Sequence, residues 1–402
     1  MMRILFLSSW SPWPPNNGSK IRASYLLQAL QRSHETSTVA FCPTDKEVPG
    51  AEWENFYAVR VDPFRYVNLP KLLKYISPIP LACWPSQLMR QTVKRIADLG
   101  HWDAVVAFQS SVAQYALLLP NVPRVLDVDT AYSYQAYERH INQSGFVGRL
   151  RTWVSWRKTH RYEARLFRRY QTCTVVSSTE LSYVGRMVRP TNGRCELVPN
   201  GVDCQHNHLG IARPEANRLV YNGALTYSAN FQAMQYFLGE IYPQIKKQVP
   251  GVSLTITGST KGVDLSGLHL DESVRLSGYV DDIRPVVAGA WICIAPLLEG
   301  GGTRLKILEA MALGTPVVST SKGAEGLEVT PDREILIADE PAAFAAAVIR
   351  LLRDAPGGDS SARQQLVTNA RCLVEQRYDW GEIGRRFVDL VEEVTHRRAY
   401  TR

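Results

Sequence analysis

The chain has 402 residues, 45% of them hydrophobic and 21% charged, the composition of a soluble globular protein long enough for two cores. Its net charge of +8 is concentrated in residues 1–200, where 25 Lys and Arg face 14 Asp and Glu, whereas residues 201–402 carry 21 against 24. No run reaches the roughly 18 apolar residues of a membrane span, and MMRILFLSSW lacks the apolar centre of a signal peptide. The seven cysteines contain no CxxC pair, which argues for reduced thiols and against a zinc site. The expected location is cytoplasmic, with any membrane contact peripheral, on the inner face of the cell membrane.

Arg3–Ser8 reads as a first parallel strand, followed by the irregular loop SWSPWPPNNGSK and a helix through Ile21–Leu30. Lys20 and Arg22 stand at the start of that helix. Ser37–Phe41 and Phe56–Val61 are further strands. Pro70–Pro85 is apolar, basic and proline-broken, a surface lid rather than a core helix. Ala104–Phe108 and Arg124–Val128 are strands, the second ending in Asp129-Thr130. Asp129 is placed either as an active-site carboxylate beyond a strand end or as a cap on the next helix.

Gly145–Tyr170 is the basic hot spot, with eight Arg and Lys against the single acid Glu163 and interleaved Trp153, Trp156, Tyr162 and Phe167. A basic aromatic helix lies on an anionic membrane surface, grips phosphates, or is a solvated helix with a core-facing stripe. Nucleic acid is not an expected partner, because no reader motif accompanies the charge. Thr172–Ser177 reads as a strand, Ser178–Val188 as a helix, and Cys195–Asp203 as an interdomain joint. The pattern then restarts with Arg218–Gly223, a helix over Ala229–Gln248, Val252–Thr257, Val274–Leu276 and Gly278–Asp282. Late helices are expected at Ala342–Arg353, Ser360–Glu375 and Asp379–Arg398.

Trp291–Ser319 condenses the second half into strand, glycine loop, helix and strand. Gly300, Gly301 and Gly302 remove the side chains from a turn that opens the helix Leu305–Leu313, and Gly314 and Pro316 end it. A bare loop at a helix N-terminus offers N–H groups and the positive dipole end to an anion. Arg304 and Lys306 add positive charge one turn in, and Glu309 follows. The pattern points to a diphosphate carried by a hydroxyl-bearing group; a plain βαβ turn with a basic helix start is the alternative.

In VPNGVD (Val198–Asp203), GYVDDIRPVVAGAWICIAPL (Gly278–Leu297), GGGTRLKILEAMALGTPVV (Gly300–Val318) and YDWGEI (Tyr378–Ile383) the sequence resembles the family-4 glycosyltransferases of GT-B fold. PWPPNNGSKIRASYLLQAL (Pro12–Leu30) is similar to the subgroup associated with exopolysaccharide sugar transferases. The resemblance implies an α/β protein of two Rossmann-like domains facing each other across a cleft. Residues 1–190 would form the acceptor-side domain, 196–381 the nucleotide-sugar domain, and a C-terminal helix over 382–402 would return to the first. It implies retaining transfer of a sugar from a UDP-, GDP- or ADP-sugar to a glycan or lipid-linked acceptor hydroxyl, with no cofactor and no metal, in polysaccharide or glycoconjugate assembly.

By the same resemblance Glu309 would bind the ribose, Tyr279 and Val280 the base, and Gly223, Gly300, Gly301, Gly302 and Thr303 the rest of the donor. Asp129 would sit beside the reacting sugar, and Gly18 on the loop that approaches diphosphate and acceptor. Three positions depart from the family pattern. The first Glu of Glu-x7-Glu falls on Gly301, leaving Glu299 two residues early to reach the donor sugar. The usual Arg and Lys after the second domain's first strand are Ala224 and Asn230, which shifts the diphosphate onto Arg304 and Lys306. Asp129 replaces a histidine. A nucleotide-sugar epimerase and a non-catalytic GT-B subunit binding a partner transferase or lipid-linked glycan are the alternatives. An NAD-dependent dehydrogenase is a poor fit, since no G-x-G-x-x-G follows the first strand.

Overall fold

The computed structural model describes residues 1–50, 53, 55–64, 77–189, 193–300, 303–354 and 362–399. The expected loop glycines Gly301 and Gly302, and residues 70–76 of the Pro70–Pro85 stretch, lie outside the described residues. The chain divides into two compact units, Met1–Pro199 with Ile383–Arg402, and Asn200–Glu382. The anticipated domain start at 196 falls inside a strand of the first unit.

The first unit holds a seven-stranded parallel sheet of β1 (Arg3–Ser8), β2 (Glu35–Phe41), β3 (Phe56–Val59), β4 (Ala104–Phe108), β5 (Arg124–Asp127), β6 (Thr172–Val175) and β7 (Arg194–Leu197), in the order β3-β2-β1-β4-β5-β6-β7. Its central strands β1 and β4 are apolar through their middles, with Ile4, Leu5, Phe6, Leu7, Val105 and Val106 fully buried. Helices cover both faces of such a sheet, so neither face needs polar residues. Order reverses between β1 and β4, which opens a crevice at the carboxyl ends of those strands. The last described helix, Trp380–Ala399, belongs to this unit from Ile383 onward, burying Ile383, Phe387 and Val391.

The second unit repeats the plan with β8 (Glu215–Asn222), β9 (Ser253–Thr257), β10 (Val274–Gly278), β11 (Ala290–Ala295), β12 (Val317–Ser319) and β13 (Leu336–Ile337), ordered β10-β9-β8-β11-β12-β13. The reversal here lies between β8 and β11, paired through Ile292 with Leu219 and Cys293 with Val220. Gly278 turns to φ +70 and ends β10, so the stretch Gly278–Asp282 continues beyond it without regular structure.

The single helix expected over Ala229–Gln248 is split into Ser228–Tyr236, a π turn at Phe237–Ile241, and Tyr242–Gln248. Pro243 is the cause: it has no N–H to give the carbonyl four residues back, and the widened turn absorbs the gap. Among the described residues no helix is long and apolar enough to cross a membrane.

Candidate active site

The second unit's site is built where β8 and β11 end and the helix Leu305–Ala312 begins. Arg304 occupies the N-cap position, its side chain makes no capping bond, and its carbonyl accepts from Ile307 N at 2.9 Å. Arg304 Nη2 instead donates to the carbonyls of Gly300, at 2.6 Å, and Glu299, at 3.4 Å. Gly300 has φ +103, and a Cβ on it would lie 3.1 Å from that Nη2. The guanidinium thus shapes the glycine loop as well as charging it. Thr303 is buried beside it. Glu299 is half-buried, and among the described residues no side chain meets its carboxylate.

Lys306 is not the fixed charge its place in the sequence suggests. Its Nζ donates to the Tyr221 hydroxyl and to Asn230 Oδ1, each at 3.0 Å, and lies 4.2 Å from the Tyr221 ring centroid. Burial lowers its pKa to about 7, with Arg304 pushing the same way and Cys293 and Glu309 opposing. A Cβ on Gly223 would come 2.7 Å from Nζ and 2.9 Å from Asn230 Nδ2; only glycine lets the lysine pass over this strand end. Asn230, at the start of the helix after β8, accepts from Lys306. The cation therefore enters from the helix Leu305–Ala312 instead of the strand end.

Glu309 follows one turn later. Its Oε2 accepts from Asn222 Nδ2 at 3.1 Å, and Asn222 Oδ1 accepts in turn from Thr257 Oγ1 at 3.2 Å. Burial raises the Glu309 pKa while Lys306 lowers it. Tyr279, exposed, and Val280, half-buried, follow the end of β10, which β9 separates from β8. The structure thus gathers Gly223, Lys306 and Glu309 in one place and Glu299, Gly300 and Arg304 in the adjoining loop. Tyr221 and Asn222 were missed: both end a buried strand, and nothing local marks them as polar anchors.

The first unit carries a separate polar cluster at the carboxyl ends of β4 and β5. Asp129 Oδ2 accepts from Ser19 Oγ at 2.5 Å and from Gln109 Nε2 at 2.7 Å. Among the described residues Oδ1 has no partner. Burial raises the Asp129 pKa against the pull of Arg22 and Ser19. Gln109 has φ 74 and ψ 154, a region almost confined to glycine, and Asp129 has φ 56. Two such residues at neighbouring strand ends hold about 1–3 kcal/mol of strain each. Gln109 Oε1 is buried and, among the described residues, has no hydrogen-bond partner.

Asp129 does not cap the next helix. Tyr132–Ile141 is capped by Glu163, the lone acid of the basic stretch, whose carboxylate accepts from Tyr132 N at 3.1 Å and Ser133 N at 2.9 Å. Gly18 is the first residue of the helix Gly18–Ser33, not part of the preceding loop, and Asn17 caps it. Neither cation of that helix start is left for a ligand. Lys20 pairs with Glu47 at 2.6 Å, and Arg22 pairs with Asp127 out of contact with solvent. Among the described residues no group of three or more His, Cys, Asp and Glu could hold a metal.

Two family models match, "Glycosyltransferase Family 4" over residues 16–206 and "Glycosyl transferases group 1" over residues 216–354. The first match lies mostly in the first unit and the second within the second unit. The fold of these domains is that of the GT-B structures. Sucrose-phosphate synthase from Thermosynechococcus elongatus superposes with a TM-score of 0.73 at 15% identity, over 98% of this chain and 99% of that one. Anabaena HepE in complex with UDP and glucose does so with 0.66 at 15% identity, over 98% and 100%. An uncharacterized 44.6 kDa protein in the cps region of Klebsiella pneumoniae is 27% identical over 169 residues. That match spans 40% of this chain and 42% of the relative's length.

Proposed function

We propose that the chain is a retaining glycosyltransferase moving a sugar from a nucleoside diphosphate-sugar to an acceptor hydroxyl in polysaccharide or glycoconjugate assembly. The observation that carries this reading is the Lys306–Tyr221–Asn230 contact at the N-terminus of the helix Leu305–Ala312, with Glu309 one turn on. In the transfer the bond from the anomeric carbon to the diphosphate oxygen breaks and the oxygen keeps the electron pair. A bond from the same carbon to the acceptor oxygen forms, and the acceptor hydroxyl loses its proton.

Negative charge grows on the leaving diphosphate, so Lys306, Arg304 and the helix N–H groups act where it develops, without a metal in this reading. Glu309 takes the ribose hydroxyls, Tyr279 and Val280 flank the base, and Glu299 addresses the donor sugar. Asp129, its Oδ2 held by Ser19 and Gln109, offers Oδ1 to orient a hydroxyl near the reacting carbon. The match to a cps-region protein supports a polysaccharide setting, and the UDP in HepE supports a nucleotide donor. All seven cysteines are unpaired, which fits a reducing compartment.

The test is turnover with UDP-, GDP- and ADP-sugars, read as nucleoside diphosphate release and as the anomeric configuration of the product. Release by the wild type that falls in Glu309→Gln supports the assignment. Nucleotide binding without release for any donor would identify a non-catalytic subunit instead, and an inverted product would exclude retention.

A further inference from the structure

We infer that the exposed first half of the helix Phe146–Phe167 is a docking surface for an anionic lipid bilayer. This goes beyond sugar transfer and does not depend on it. The second half of the helix is anchored in the first unit through buried Thr159, Glu163, Ala164, Leu166 and Phe167. Between residues 146 and 155 no residue is buried. Phe146 is 83% exposed, Val147 79%, Leu150 52%, Trp153 45% and Val154 45%. At about 100° per residue these five fall on one stripe about 120° wide.

The opposite side of the helix is the one that packs. Thr152 Oγ1 meets His140 Nδ1 at 3.2 Å, Trp156 stacks on His140 at 5.8 Å between centroids, and a Cβ on Gly148 would come 2.8 Å from Gln143 Nε2. The apolar stripe therefore points away from the helix that supports it. Trp156 is fixed further by donating to the Tyr183 hydroxyl at 3.0 Å. The support is rigid and the stripe is bare.

Charge selects the occupant. Arg149 and Arg151 flank the stripe on its two sides, and Arg157 and Arg161 continue the same face along the helix. No acid occurs between residues 146 and 162. Arginines beside a stripe of Phe, Leu and Trp snorkel to anionic headgroups while the apolar side chains enter the acyl boundary. A shallow recess of about 450 Å³ lined by His140, Phe146, Arg149, Leu150 and Trp153 is large enough for a phosphate headgroup. A second copy of this chain would bring the same four arginines against themselves, which like charge disfavours.

The test is co-sedimentation of the full chain with phosphatidylcholine vesicles and with vesicles about one third phosphatidylglycerol, at about 0.05 M and about 0.5 M salt. Binding to the anionic vesicles at low salt is expected, with loss at high salt. Phe146→Ser/Leu150→Ser removes the apolar insertion and Arg149→Glu/Arg151→Glu inverts the flanking charge. Each is expected to weaken binding roughly tenfold or more, and with all four residues exposed neither should disturb folding, which circular dichroism checks. Absence of binding at low salt overturns the proposal, as does binding that neither double variant weakens. A concentration-dependent dimer in sedimentation velocity, abolished by Phe146→Ser/Leu150→Ser, would assign the stripe to a second copy and overturn it too.

Discussion

Lys306 and Tyr221 meet twice, through a 3.0 Å hydrogen bond from Nζ to the phenol oxygen and through a 4.2 Å approach of Nζ to the ring centroid. Both contacts favour the charged amine, yet burial outweighs them and leaves the pKa at about 7. The nearest basic group, Arg304, adds to the penalty. The lysine is therefore held where a proton is easily gained, and the proposed diphosphate would supply the missing negative charge.

Nucleoside diphosphate binding should take up a proton above about pH 7. In the empty site Lys306 is protonated below about pH 7 and increasingly neutral above it. Bound diphosphate favours the charged form and raises that pKa. Affinity is thus greatest at and below neutrality and falls as pH rises, by up to about tenfold per unit between the free and bound pKa values. Calorimetry with UDP at pH 8 in buffers of different ionisation enthalpy reads the proton count directly. A heat independent of the buffer would remove Lys306 from this role, and Lys306→Met should abolish any buffer dependence.

The same two cations should differ in their kinetic signatures. In the proposed reaction Lys306→Met removes a donor to the leaving group and is expected to lower kcat by about 10²–10³, the cost of losing an oxyanion donor. Arg304→Ala removes charge and also frees the carbonyls of Gly300 and Glu299, so KM for the donor sugar should rise along with the fall in kcat. Steady-state kinetics on both variants separate the two effects. Unchanged turnover in both would disprove the diphosphate assignment.

The two-unit plan was legible because buried parallel strands read as uninterrupted apolar runs, and because the βαβ pattern restarts after residue 200. The glycine loop and the helix at Leu305 were legible for the same local reason. Partnerships across the chain were not. Lys306 and Tyr221 are 85 residues apart and Arg22 and Asp127 105, and no spacing rule connects them. The helix Tyr132–Ile141 escaped because its cap, Glu163, stands 31 residues from Tyr132. The short amphipathic helix Gln87–Ala97, with Met89, Val93 and Ile96 inward, was masked by the proline-broken stretch before it. Gln109 had no signal at all, since its importance lies in its backbone angles.

Gln109 should act as a positioning residue for Asp129. It donates to Oδ2 at 2.7 Å from a backbone conformation that suits glycine better than glutamine. Gln109→Gly relieves the strain and removes the amide, so the two stability effects offset to within about 1 kcal/mol. Losing that donor raises the Asp129 pKa further, since the hydrogen bond favours the ionised form. A carboxylate needed in its ionised form is then lost at higher pH, and the acid limb of kcat/KM should move to higher pH. A pH profile identical to the wild type, at equal stability by urea unfolding, would leave Gln109 a purely structural residue.

Arg22 should matter for folding and not for the donor. Its Nε and Nη2 donate to the two oxygens of Asp127 at 2.9 and 2.6 Å, and Nη1 and Nη2 also reach the carbonyls of Pro199 and Val198. Thr174 Oγ1 completes the shell of Asp127 at 2.7 Å. Both members are fully buried, so Arg22→Met strands a carboxylate away from water and is expected to cost about 3–5 kcal/mol. Removing the charge from both sides in Arg22→Met/Asp127→Leu should recover most of that loss, because the desolvation penalty disappears with the pair. Urea unfolding of the two variants measures the difference, and UDP affinity of the folded single variant should equal that of the wild type. A double variant no more stable than Arg22→Met would show that the carbonyl contacts to Val198 and Pro199, and not the ion pair, hold this corner of the first unit together.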